Sequence, residues 1–570
     1  MKRIVPLLYI IGSFFFFELN YRFFYHFMEQ YTLFLYTKSF AFDLLGQVGG
    51  GLQYVTAFLT QFFYYPHMAP LLLALLMGAG AHFSFLYLRR FDATDSPLWA
   101  LLPYLLFWIY PLESIATLLV LLGAWFTAWL YTLIPHRGLR FSFGFIALAF
   151  LYPLAAPTQL CVGVLILLYE IKVNRAYLDG FLLTAWAFLL PLIGMRTFYI
   201  VSMREAYFGK YLFHPEHPFP FIFYLTFAVL VLVPLLVKVS GFIKWPRGIE
   251  HRKSSFSFLL LLGCMLAVTF LKKDPLEQAY RYDYYARSGN WDAILEDTKT
   301  HSVTDQDALI YVNLALSHKG QLPEGLLHFK LLGEQGFIPI EPKSRLQLIE
   351  ASEVAWQVGQ INASQRYAFV GVLSAERCIQ SRLMTRLVDA YLVNEEYAAA
   401  RKYIKILEAT HLYHNWAEER ATLLDKPVTQ WPKELQAKRK LQAKTENPFS
   451  LTHTFTSALA YLIDDHPENK AAFDYAMCYL LTIRQLDVFM HYMEEHKGRA
   501  LPELYQEAIC IYYSQVSDPK AFKSYPISDQ VYKRFRSFLM NIRRLTKAQA
   551  EARYGKSYFV YAQFDTPPVK

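Results

Sequence analysis

Glu29 and Asp43 lie fourteen residues apart, close to four helical turns, in the stretch 20–66. That stretch is too polar to span a bilayer and too aromatic to lie free in water. A carboxylate there, single or paired, can act as general base toward an acceptor hydroxyl or hold a divalent metal. The plain alternative is a solvated interfacial acid. Arg22 and Lys38 share the stretch, and Arg196, Arg204, Lys210, His214 and His217 fall in a second polar segment, 196–219. A lipid phosphate leaving group needs such cations at head-group level. Ordinary pairing with lipid phosphates is the competing reading. His214-Pro-Glu-His217 is not H-E-x-x-H, and prolines at 215, 218 and 220 deny it a helix, so no metal is assigned to it. Glu18 and Glu113 sit at the ends of apolar runs, a depth at which acids often mark function.

The elements that must hold these groups follow from hydropathy. Residues 1–271 contain apolar runs near 4–17, 67–88, 97–112, 114–134, 141–156, 158–172, 177–195, 220–241 and 255–271. Most approach the roughly 20 residues a bilayer requires, which predicts about nine spans. Pro103, Pro111, Pro153, Pro191 and Pro234 are expected to kink or end them. No small-residue cleavage site follows the first run, so it reads as an uncleaved span. Lys2/Arg3, Arg89/Arg90, Arg137/Arg140, Lys172/Arg175 and Lys244/Arg247/Arg252/Lys253 fall in alternate connections. The positive-inside rule then places the N-terminus in the cytoplasm, 20–66 and 196–219 on the outer face, and everything after 271 outside the membrane. In a bacterium with two membranes that means an inner-membrane protein with a periplasmic C-terminal region. Around Gly46-Gln-Val-Gly-Gly-Gly51, aromatic residues recur at helical spacing, predicting two helices lying in the interface with a plain turn between them.

From 272 to 570 the composition becomes mixed-charge. Tyr280 to Ile294, Tyr311 to Leu326 and Leu387 to Arg401 each read as a helix, a Gly or Asn turn, then a second helix rich in small residues. Such a hairpin cannot bury its own apolar face, so neighbours stack. The pattern resembles tetratricopeptide repeats and predicts a curved solenoid. Pro432 to Ser450 reads as a polar loop between subarrays, and Arg553 to Phe564 as a strand or cap that docks back. The expected fold class is therefore all-α: a polytopic domain over 1–271 and an extracytoplasmic helical-repeat domain over 272–570.

Of the 570 residues, 54% are hydrophobic and 18% charged, and the net charge is +9. Residues 1–271 hold +7 of that balance, which reflects membrane topology and not nucleic-acid binding. Five scattered cysteines make no disulfide framework and no C-x-x-C. No Walker, G-x-S-x-G, H-E-x-x-H or zinc spacing occurs, so nucleotide hydrolysis, serine hydrolysis and zinc proteolysis have no support.

Two resemblances arise. Glu29-Gln-Tyr-x-Leu-Phe, the run from Gly49 through Tyr54, Phe58 and Gln61, and the ending Tyr554-Gly-Lys-Ser-Tyr-Phe resemble an uncharacterised family of bacterial polytopic envelope proteins with a tetratricopeptide-like tail. The layout is also similar to membrane glycosyltransferases of the C-type fold, which carry an acid in the first outer loop. That likeness implies a polyprenyl-phosphate sugar donor, with Glu29 or Asp43 as base and Arg22, Lys38, Arg196, Arg204, His214 and His217 around the substrate. It implies no cofactor beyond a divalent metal. Residues 20–66 depart from that pattern, having no D-x-D, E-x-D or D-D pair. Two readings stay open: a lipid-linked sugar transferase, or a non-catalytic membrane-anchored scaffold whose repeats bind a protein partner for envelope assembly or secretion.

Overall fold

The structure, a computed structural model, describes residues 4–31, 33–91, 97–109, 115–209, 221–240, 263, 276–339, 341–375, 379–442, 455–516 and 525–565. The fold is all-α, with no strand among the described residues. The chain divides into two compact units, Met1–Asp274 with Ala409–Leu412, and Pro275–Glu408 with Tyr413–Lys570.

In the first unit α1 (Ile4–Asn20) is followed by three short helices, α2 (Arg22–Glu29), α3 (Lys38–Leu45) and α4 (Gly50–Thr60). The longer α5 (Met68–Leu88), α7 (Ala116–Leu133), α8 (Arg137–Ala155) and α10 (Tyr177–Thr197) alternate with α6 (Pro97–Ile109) and α9 (Thr158–Tyr169). After them come α11 (Met203–Phe208) and α12 (Phe221–Ser240). Among the described residues four helices are long and apolar enough to cross a membrane: Met68–Phe91, Ala116–Leu133, Arg137–Ala155 and Tyr177–Thr197. A fifth arises if the bent pair Leu7–Asn20 and Arg22–Glu29 is one span.

Nine spans were expected, and the structure supports the coarser statement that four or five helices among the described residues are long and apolar enough to cross a membrane. Helix α6 has 13 described residues, and α9 has 12 but runs on without a break into a π-helical turn, Glu170–Asn174. The expected span at 255–271 lies outside the described residues apart from Gly263. The prolines do not end their helices: Pro103, Pro153, Pro191 and Pro234 all lie inside helical spans. Neighbouring helices in an apolar bundle tolerate them.

The stretch expected to lie flat in the interface is partly internal. Helix α2 ends at Glu29, the chain has no regular secondary structure over 33–36, and Phe24, Phe27, Tyr31, Phe34 and Phe40 are buried. Phe34 makes edge contacts with Phe40, Tyr54 and Phe58 at 5.0–5.5 Å. Part of the aromatic side therefore packs on protein, while Tyr36, Phe42, Leu45, Val55, Tyr64 and Tyr65 are exposed. The glycine run is the expected turn. Gly49, at φ 72, starts α4 and donates its N–H to the Pro153 carbonyl at 2.9 Å. Farther along, Arg140 (Nε) donates to Glu170 Oε1 at 2.7 Å and Tyr131 to the same oxygen at 2.8 Å. Glu170 is fully buried, so this three-way tie satisfies a charge that would otherwise be very costly there.

The second unit is a series of helix pairs. Glu277–Arg287 is followed by Trp291–Thr300, Arg345–Val358 by Ile361–Ser374, Ser381–Val393 by Tyr397–Glu408, and Lys470–Thr482 by Leu486–Glu495. One turn recurs. Asn290 N–H donates to Tyr285 O and Gly289 N–H to Ala286 O, and the same 6→1 and 5→2 bonds recur at Gly320, Gly359, Glu395 and Arg484. Each of these five residues has φ between 57° and 99°. This is the Schellman ending, which satisfies the last carbonyls of the first helix and turns the chain sharply.

Two expectations for this unit are corrected. Part of the supposed polar loop is a helix, Lys433–Lys440, because Lys438 turns inward and donates to the carbonyls of Trp356 (2.5 Å) and Gln357 (3.0 Å). Both carbonyls lie in the last turn of Arg345–Val358, where Trp356 O already accepts from the Gly359 N–H, and the ammonium adds a donor to them. The aromatic ending is helical, Lys547–Tyr554 and Tyr558–Phe564, and not a strand. Tyr558, Phe559 and Val560 are buried, and the Tyr558 N–H donates to Glu507 Oε2 at 2.7 Å.

Candidate functional site

The described candidates differ in their surroundings. Glu29 is 2% exposed, enclosed at the end of α2. Asp43 and Lys38 are exposed on α3. Arg196 is exposed in the last turn of α10, and Arg204 is exposed on α11. Lys210, His214, His217 and Glu113 lie outside the described residues. Arg22 enters a charged cluster, and its partner there is Glu18.

That cluster is built by the bend after α1. The Asn20 side-chain amide donates to the Phe16 carbonyl at 2.8 Å, taking an acceptor at the end of the helix. The chain turns at Tyr21 and α2 leaves at 80°. Glu18 and Arg22 meet across the bend at 3.3 Å. Helix α2 is tied to the turn Gln61–Tyr64 by His26, whose Nδ1 lies 3.0 Å from the Phe63 carbonyl, and by the Tyr25–Phe63 edge contact. The turn delivers His67 to the start of α5 in the left-handed region, φ 65. Helix α5 in turn lies close against α1, because a Cβ at Gly78 would collide with Ile10.

His67 Nδ1 thus sits 2.7 Å from Glu18 Oε1. With Nδ1 donating to the carboxylate, Nε2 is left as the proton acceptor. The His67 side chain is 57% exposed and that of Glu18 15%, so an oriented imidazole faces solvent above a largely enclosed acid. The positive end of α5 favours the carboxylate at this point. Glu18 Oε2 is buried and accepts no hydrogen bond among the described residues. A buried carboxylate oxygen in that condition favours a donor brought by water or substrate. The arrangement offers a proton acceptor and a guanidinium within one carboxylate's reach. Among the described residues no group of three His, Cys, Asp or Glu is placed to hold a metal ion.

The chain matches one protein family over residues 1–565. It belongs to DUF6057, a family of unknown function. Neither a curated protein nor a solved structure matches it. The DUF6057 match covers both units, so the apolar helices and the helix pairs belong to one family architecture.

Glu18 was legible as an acid at a span end, whereas His67 was not a sequence candidate. It is 49 positions away and opens an apolar run, so it reads as the first residue of a span. The available signal was Tyr-Tyr-Pro-His, a proline turn that leaves a polar ring at a helix start.

Proposed function

We propose that this chain is a multi-pass inner-membrane protein that transfers a sugar from a polyprenyl-phosphate carrier to an acceptor hydroxyl at the periplasmic face. The observation that carries the reading is the 2.7 Å Glu18–His67 pair with Arg22 beside it, at the ends of two neighbouring apolar helices. In the reaction the acceptor oxygen bonds to the anomeric carbon as the bond from that carbon to the carrier phosphate breaks. The bond's electron pair leaves with the polyprenyl phosphate, whose charge Arg22 offsets. The acceptor proton passes to His67 Nε2, and Glu18 stabilises the resulting imidazolium. Arg196 and Arg204 are further phosphate contacts in this reading, and Glu29 and Asp43 give way to Glu18 and His67 as reacting groups. The basic connections support an N-terminus in the cytoplasm and a periplasmic second unit, with the shorter apolar helices completing about nine crossings.

Lipid extracts from cells lacking the protein provide the test. One polyprenyl-phosphate sugar should accumulate and return to the wild-type level when the intact chain is restored. Glu18→Gln and His67→Gln should fail to restore it, while Asp43→Asn should succeed. Restoration by both Glu18→Gln and His67→Gln would overturn the reading.

A second reading, a membrane-anchored scaffold with a tetratricopeptide-like solenoid, draws on the recurring Schellman-ended helix pairs of the second unit. It expects partner proteins captured by the intact chain to be lost when 275–570 are removed. Capture unchanged by that removal would count against it.

A further inference from the structure

The helix Asp529–Asn541 and the turn Ile542–Arg544 after it present two unlike faces. Val531, Phe535 and Phe538 point inward at i, i+4 and i+7 and are buried. Arg534, at the inner edge, is paired with Glu503 and with Glu507 at 3.0 Å. The outer face is different. Lys533, Arg536, Arg543 and Arg544 are all exposed and make no ion pair among the described residues. Between them protrude Tyr532, Leu539 and Met540, at 42%, 47% and 71% exposure.

Charge is concentrated here. Residues 529–556 hold eight Lys and Arg against two Asp and Glu, whereas residues 272–570 as a whole carry only +2. The remainder of that region is therefore net acidic, and this one segment holds the basic excess. Apolar side chains set among unpaired cations suit a surface that is anionic at its boundary and apolar just beneath it. The same chain carries four helices able to cross a membrane, so a lipid surface is tethered to it.

We infer that the outer face of Asp529–Arg544 binds an anionic lipid surface, its cations on head-group phosphates and Leu539 and Met540 inserted between them. An acidic protein would satisfy the cations but gives no role to a methionine held this far out of the fold.

The test uses the whole chain in nanodiscs of phosphatidylcholine, alone or with 30% phosphatidylglycerol, and reads amide exchange over 529–544. Exchange should slow only in the anionic discs, and the slowing should disappear in 0.5 M salt. Each of Arg536→Glu, Arg543→Glu and Arg544→Glu should reduce the lipid-dependent protection by about fivefold or more, since one basic residue at an anionic surface contributes about 1 kcal/mol. Met540→Ser should reduce it without changing the salt dependence. Equal exchange in both discs would overturn the inference. Protection that appears in neutral discs only on adding cell extract would assign the face to an acidic protein, and would also overturn it.

Discussion

Replacing Glu353 by Gln should open the second unit locally and strongly. Glu353 lies on Arg345–Val358 with its side chain 4% exposed, and one oxygen accepts from Arg382 at 2.9 Å and Arg386 at 2.7 Å. The two guanidinium groups are only 12% and 13% exposed, so neither can turn to water. Arg386 also lies over the Trp356 ring at 4.3 Å, which fixes it further. Burial alone would raise the Glu353 carboxyl. Arg386 and Arg382, with hydrogen bonds from Gln357 and Arg386, outweigh that and hold it at about 2. Removing one partner of such a group costs about 3–5 kcal/mol, because the remaining charges stay buried and unpaired. The slowest amides of Arg345–Val358 report local opening. In Glu353→Gln they should exchange about 10²–10⁴ times faster, while Glu296→Gln, at an exposed pair with Lys299, should change nothing measurable. The wild-type contribution is present above the ordinary glutamate value and is lost as pH falls from about 4.5 toward about 2. Acceleration below tenfold, or a loss of protection that begins on raising the pH, would refute this reasoning.

Other outcomes follow from the same geometry. Burial, opposed by the Tyr558 N–H and Arg534, pushes Glu507 up to about 7. A raised carboxyl binds more protons folded than unfolded, so its effect is to lower stability as pH rises from about 4.5 to about 7. Glu507→Gln should remove that loss, read as a urea midpoint that varies less between pH 5 and 8. Gly289, at φ 69, has open space where a Cβ would go, so Gly289→Ala should cost about 1–2 kcal/mol from backbone strain alone. Gly359→Ala should cost more, because at φ 99 its Cβ would also press on Leu441. Equal losses would show that packing at that turn is looser than described. Glu350 is fully buried and neither of its oxygens accepts a hydrogen bond among the described residues. Glu350→Met should therefore leave the unit as stable or more so at neutral pH, and a large loss in urea midpoint would contradict that.

What the sequence displayed was whatever one residue type could signal on its own. Gly289 and Gly320 announce their turns because glycine takes positive φ without strain. At the third hairpin Asn394 looks like the turn residue, yet Glu395 takes φ 61, and Arg484 does the same with no local sign at all. There the turn is set by the packing of the two helices. Lys438 misled for a similar reason: a lysine in a run of charges reads as surface, and its burial follows from the Trp356 and Gln357 carbonyls it meets at the end of Arg345–Val358. Composition showed which stretches are apolar but not how each helix is built: the run 158–172 reads as one regular helix, yet it turns π-helical over Glu170–Asn174. The candidate acids and cations were chosen for being polar within an aromatic stretch. Glu29 satisfies that description from inside the protein. His67 does not satisfy it, and its meeting with Glu18 depends on the bend at Tyr21 and the packing of α1 on α5.

Photolabelling with a diazirine-bearing polyprenyl phosphate tests the central claim most directly. Label on the reconstituted chain should map to peptides containing Arg22 and His67, be displaced by unlabelled polyprenyl phosphate, and fall at least about tenfold in Arg22→Met. Label spread evenly over the apolar helices, or undiminished in Arg22→Met and His67→Gln, would contradict a lipid-phosphate site at Glu18.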